Sequence, residues 1–137
     1  MHKTRSDFTH SSLLSKVRTS FNQAIKSNSR ANGISFSDCL MSGLAIFSLK
    51  YKSLLKFEED KASKHLVKHN LKSLYGITKV PCDTYLRECL DDETILSQVR
   101  PAFASLFKTL QRGKVLESWK FLNNKYLISL DASGFFS

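Results

Sequence analysis

Apolar residues recur at helical spacing through most of this chain, and the pattern changes only near its end. Leu13, Leu14, Val17, Phe21, Ala24 and Ile25 share one side of a helix predicted over about 11–27. Lys16, Arg18 and Lys26 decorate its other faces. The polar run 27–33, closing on Gly33, breaks that helix. The next helix starts at Ser35, where Ser35-Phe36-Ser37-Asp38 resembles a capping box with Asp38 in the reciprocal place. Phe36, Leu40, Met41, Leu44, Ile46, Phe47 and Leu49 then cover most of its circumference. A helix apolar nearly all round is a buried one, so this segment is expected at the centre of the core. Ser42-Gly43 marks a spot where a neighbouring helix can approach closely.

Ser53 is the expected N-cap of a third helix, whose pattern runs on to Tyr75. Lys61, Lys64, Lys68 and Lys72 fall on one face of it, with Leu66, Val67 and Leu74 roughly opposite. Such a basic stripe fits phosphates, and it equally fits an ordinary solvated face. Gly76 stops the helix and Pro81 marks the break. Asp83 or Thr84 is placed to cap a short helix from Tyr85 to Leu90, and Asp91-Asp92-Glu93 suits the dipole at a helix start. A helix over about 94–111 follows, interrupted near Pro101, with Phe103, Leu106, Phe107 and Leu110 as its apolar face. After the turn at Arg112-Gly113-Lys114, Leu116 to Leu122 forms a further helical piece, and Asn123-Asn124 leads into a strand. That strand, Tyr126 to Leu130, is rich in strand formers and ends on Asp131. Ser133-Gly134 then turns the chain towards Phe135-Phe136. The fold class is therefore mainly α: a compact bundle of about six helices followed by one C-terminal strand or hairpin.

The 137 residues suit one ordinary domain, and 42% apolar content with ten Phe supplies a real core. Lys and Arg number 21 against 12 Asp and Glu, a formal charge of +9. Through residue 30, Lys3, Arg5, Lys16, Arg18, Lys26 and Arg30 face a single acid, Asp7. Charge alone is balanced between a polyanion partner, most simply nucleic acid, and a basic surface with no specific partner. Cys39, Cys82 and Cys89 include no pair at CxxC spacing, which points away from a disulfide framework or a zinc site. Cys39 reads as a small core residue and the thiols as reduced. His65 and His69 share a helix face but lack the Glu of HExxH, since Leu66 follows His65. No signal peptide is indicated, and the most apolar run, Leu40 to Leu49, is too short to span a bilayer. These features fit a cytoplasmic protein without a membrane partner. Neither a Gly-rich phosphate loop nor a GxSxG elbow is present.

Several blocks, in order, give the chain a resemblance to a known family. They are DCLMSGLAIFSLK at 38–50, SLL at 53–55, HNLKSLYGI at 69–77, PCDT at 81–84, LRE at 86–88, LQRGKVLE at 110–117 and YLISLD at 126–131. Together they resemble the N-terminal part of bacterial insertion-sequence transposases of the DDE type, over about 34–137. The resemblance implies a catalytic core like that of RNase H, begun by a strand ending in the first acid of the triad. Asp131 matches that acid, although Ala132-Ser133-Gly134 stands where the family has a Gly-Thr pair. It implies two domains: residues 1–124, helical and DNA-binding or positioning, and residues 125–137, the first strand of a truncated catalytic domain.

The family's chemistry needs carboxylates holding two Mg²⁺ ions about 3.5–4 Å apart. Asp131 is a metal ligand only in a full-length enzyme, so no cofactor is expected for this polypeptide, and alone it is expected to cut no DNA. The implied partner is transposon-end DNA. Lys16, Arg18, Lys26, Arg30, Lys61, Lys64, Lys68 and Lys72, chosen from charge clustering, are its candidate phosphate contacts. The competing reading is a small basic helical module that self-associates, or pairs with and regulates an intact transposase.

Overall fold

The computed structural model describes residues 8–24, 33–93 and 95–127. Among them run six α-helices: α1 (His10–Ala24), α2 (Phe36–Ser48), α3 (Leu54–Ser63), α4 (His65–Ser73), α5 (Asp83–Leu90) and α6 (Ile95–Arg112). A 3-10 helix (Val115–Trp119) and a two-stranded antiparallel hairpin, β1 (Lys120–Phe121) and β2 (Lys125–Tyr126), complete them. The chain is thus mainly helical with a small C-terminal hairpin, as the periodicity predicts.

α2 is the central helix. Ser35 caps it, its hydroxyl accepting from the Asp38 N–H at 3.0 Å. Ten of its residues are buried, polar Ser37, Asp38 and Ser42 included. Burial is not complete, however: Phe47 in the last turn and Leu49 at the C-cap are exposed, Phe47 at 78%. The close approach expected at Ser42-Gly43 is present. A Cβ on Gly43 would lie 3.1 Å from Cδ2 of Leu90, so α5 packs against α2 at its smallest residue. Around α2 the core takes Leu14, Val17 and Phe21 from α1, Phe57 from α3, Leu71 from α4 and Leu86 from α5. α1 packs chiefly on α6 and also on α2, so the first and last helices of the bundle are neighbours.

The single helix expected over 53–75 is two. α3 begins as predicted, with the Ser53 hydroxyl accepting from the Lys56 N–H at 3.1 Å. It ends at Lys64, which is extended (φ −110°, ψ 106°). There the Lys64 N–H still bonds the Asp60 carbonyl, and its ammonium reaches the Asp60 carboxylate at 2.8 Å. The bend re-aims the chain so that Leu71, Tyr75 and Ile77 all enter the core. No Gly or Pro marks the bend, and so the periodicity runs through it unbroken.

α5 starts at Asp83 rather than Tyr85, and its cap comes from elsewhere. Neither Asp83 nor Thr84 caps it. The Asp83 N–H donates to the Glu58 carboxylate at 3.2 Å, so α3 satisfies the open end of α5. α6 is continuous through Pro101. Its packed face is Ile95, Val99, Ala102 and Leu106, while Phe103 and Phe107 remain exposed at 43% and 49%. These phenylalanines lie one position on from Ala102 and Leu106, about 100° round the helix, and so flank the contact with α1.

Past α6 the piece expected as helical from Leu116 to Leu122 becomes the 3-10 helix and β1. Asn123 and Asn124 hold φ of 54° and 66°. The Lys125 N–H closes their turn on the Leu122 carbonyl at 3.3 Å. Two successive positive φ angles define the hairpin turn whose twist suits antiparallel strands, and Asn tolerates them. Lys120 pairs with Tyr126 and Phe121 with Lys125. Of the strand expected over Tyr126 to Leu130, β2 is only Lys125–Tyr126, paired with a strand before it; Leu127 lies outside it. The boundary placed between residues 124 and 125 falls inside this hairpin. Residues 128–137, with Asp131, Ser133-Gly134 and Phe135-Phe136, lie outside the described residues.

Candidate nucleic-acid interface

Charge is segregated among the helices. α1, α4 and α6 contain no Asp or Glu at all. The acids gather in α3 (Glu58, Glu59, Asp60), in α5 and in the segment 91–93. The three acid-free helices bring Lys16, Arg18, Lys68, Lys72, Arg100, Lys108 and Arg112 to the structure. All of these except Arg18 are exposed and, among the described residues, form no ion pair with an acid. Because α1 and α6 pack together, Lys16, Arg100, Lys108 and Arg112 belong to one acid-free helix pair.

Arg18 is held differently from its sequence neighbours. Its Nη2 donates to Oδ1 of buried Asp38 at 3.1 Å. The same carboxylate accepts the Thr78 N–H at 3.1 Å on Oδ1 and the Lys79 N–H at 3.2 Å on Oδ2. Asp38 is thus a junction joining α1, the first turn of α2 and the 78–79 loop. Its carboxylate faces that loop and not the backbone of its own helix start, as a capping box would have it. Gly76 admits the arginine: with φ +65° it adopts a conformation that L side chains rarely take, and a Cβ there would meet Arg18 Cδ at 2.9 Å. Arg18 is chiefly a structural cation.

The stripe expected of Lys61, Lys64, Lys68 and Lys72 is divided by the bend at Lys64. Lys61 donates to the Pro81 carbonyl at 3.2 Å. Lys64 and Lys56 clamp the Asp60 carboxylate at 2.8 and 3.2 Å. The hydrogen bond from Lys64 holds the Asp60 carboxyl below its ordinary 3.8, against the opposing effect of desolvation and with Lys56 adding to it. A carboxyl depressed in the folded state stabilises the fold above its unfolded value, and that contribution is lost as pH falls through the folded value. Asp60→Asn should therefore be less stable than the parent at pH 7, with the two converging in strongly acid solution. Urea unfolding at pH 7 and pH 2.5 checks this, and an unchanged gap between the two curves would exclude the clamp as its source.

Lys68 and Lys72 are left on α4, one turn apart. With His65 and His69 they occupy positions i, i+3, i+4 and i+7, a single arc facing away from Val67 and buried Leu71. All four are exposed. Spacing alone marks the two histidines only as possible metal ligands and does not point to Arg100, Lys108 or Arg112. The signal that finds them is the absence of acids over a whole helix rather than the local density of lysines. Lys26, Arg30 and Asp131 lie outside the described residues. Among the described residues no group of three or more His, Cys, Asp or Glu is placed to hold a metal ion. No described helix is long and apolar enough to cross a membrane. Comparison with protein-family models, with curated proteins and with solved structures finds no match.

Proposed function

We propose that this chain is the helical front part of a DDE-type insertion-sequence transposase, acting in the bacterial cytoplasm, and that it holds transposon-end DNA. The observation that carries the DNA reading is the charge segregation: three helices with exposed cations and no carboxylate, in a chain of formal charge +9. The ordered sequence blocks from 38 to 131 support the family. Lys16, Lys108 and Arg112 on the α1–α6 pair and Lys68 and Lys72 on α4 are the phosphate contacts this reading favours. Contacts of this kind are insensitive to base sequence and position a duplex rather than read it.

Binding of a labelled duplex, followed by anisotropy over a range of salt, tests it. Log affinity should fall linearly with log salt, by about 0.9 for each phosphate contact. The variants Lys68→Gln/Lys72→Gln and Lys108→Gln/Arg112→Gln should each flatten that slope by about two contacts' worth and weaken binding roughly tenfold or more at moderate salt. No affinity at low salt would end the proposal.

A second reading rests on a different surface. Phe107, Leu116, Trp119, Phe121, Tyr126 and Leu127 line an apolar groove between α6 and the hairpin, with Trp119 73% exposed. Exposed apolar area of this kind favours association, including pairing with an intact transposase. Size-exclusion chromatography with and without that enzyme separates the two readings.

A further inference from the structure

We propose that Cys39 and Cys89 form a redox-responsive cross-link between α2 and α5, whose reduced and oxidised forms share the same bundle. Both thiols are at 0% exposure, and their Sγ atoms lie 3.2 Å apart across the helix contact, 50 positions distant in sequence. The helices are close at this level for an independent reason, the Gly43–Leu90 contact one helical turn further along α2. A disulfide bond measures about 2.05 Å, so its formation asks for little more than about 1 Å of approach. Packing has already brought the two sulfurs together, and ordering them is no part of the reaction's cost.

The chemistry is a two-electron oxidation. Hydrogen peroxide converts one thiol to a sulfenic acid, RSH + H₂O₂ giving RSOH + H₂O. The second thiol then displaces water, RSOH + R′SH giving RSSR′ + H₂O. Both S–H bonds break and one S–S bond forms, while the peroxide is reduced to two waters. A dithiol reductant reverses the bond by exchange. Exposed Cys82, the N-cap residue of α5, is an internal reference: it meets oxidant in the folded state, whereas the buried pair reacts through transient openings of the α2–α5 contact. The closed loop, residues 39–89, encloses α3 and α4 and leaves α1 and α6 outside. The inference is independent of the DNA reading.

The test uses the full chain carrying Cys82→Ser, purified reduced, exposed to hydrogen peroxide, then alkylated under denaturing conditions and digested for mass spectrometry. The expected product joins the Cys39 and Cys89 peptides, lighter by two hydrogens and restored by dithiothreitol. Without reductant the unfolding midpoint should rise by on the order of 5–10 °C. The unsubstituted chain should give the same Cys39–Cys89 product, with Cys82 modified earlier. Recovery of both Cys39 and Cys89 as alkylated thiols, under peroxide that fully modifies Cys82 in the unsubstituted chain, would overturn the proposal. So would a linked product that contains Cys82 in place of either.

Discussion

Replacing Asp38 with alanine should remove about 3–5 kcal/mol of folding stability, the loss associated with breaking a buried ion pair by deleting one partner. The reason lies in what the carboxylate leaves behind. Arg18 would keep a largely buried guanidinium without its anion, and the N–H groups of Thr78 and Lys79 would lose their acceptor. These hydrogen bonds are part-buried, so each abandoned amide costs at most about 1–3 kcal/mol. Domains of this size are stable by only about 5–15 kcal/mol, so the variant should be marginal at 37 °C. Asp38→Asn keeps the shape but offers one acceptor oxygen for donors now spread over two, and it should fall between the parent and the alanine variant. Arg18→Met leaves the two loop amides satisfied and should cost less than Asp38→Ala. Urea unfolding at pH 7 decides the matter. A loss below about 1 kcal/mol for Asp38→Ala would mean that water takes over the junction and that α1 does not depend on it.

Phe57→Ala should be of similar size, about 3–5 kcal/mol, by a different route. The ring is 2% exposed and stands edge-on to Tyr51, with centroids 5.2 Å apart and planes at 77°. It is the only buried apolar residue that α3 contributes, so its loss removes the anchor of the whole helix as well as opening a cavity. α3 also carries Glu58, the acceptor at the start of α5. Loosening α3 therefore uncaps α5, and the damage should spread from one helix to the next. Amide exchange should show it: protection should fall in α3 and at the N-terminus of α5 more than in α1. Phe47→Ala is the matched control. The same deletion at a ring 78% exposed should change stability by no more than about 0.5 kcal/mol. Equal losses for the two would contradict the placement of α3.

Helix existence was legible wherever the deciding interaction is local. Ser35 and Ser53 cap helices through hydroxyls bonded three residues ahead, a reach that sequence displays directly. Gly43 was legible as a point of contact because lack of volume needs no partner to be recognised. Features set by distant partners were hidden. Asp38 has the spacing of a local cap, yet its carboxylate serves residues 40 and 41 positions away. The cap of α5 comes from Glu58, 25 residues upstream, which no inspection of 82–84 reveals. On α6 two apolar stripes compete, and only the docking of α1 decides that Ala102 is covered and Phe103 is not. Among the candidate contacts, Lys68 and Lys72 stay exposed, while Arg18, Lys61 and Lys64 are held by partners that charge counting does not register.

The neighbouring positions of α1 and α6 carry a consequence for the order in which this protein can assemble. Helices α2 to α5, from Phe36 to Leu90, can all be formed while one flank of α1 still faces water. A nascent chain leaving the ribosome would have to keep its opening helix waiting until Arg112 had emerged. Release of chains stalled at successive lengths should show protease resistance arriving late and abruptly, rather than growing helix by helix.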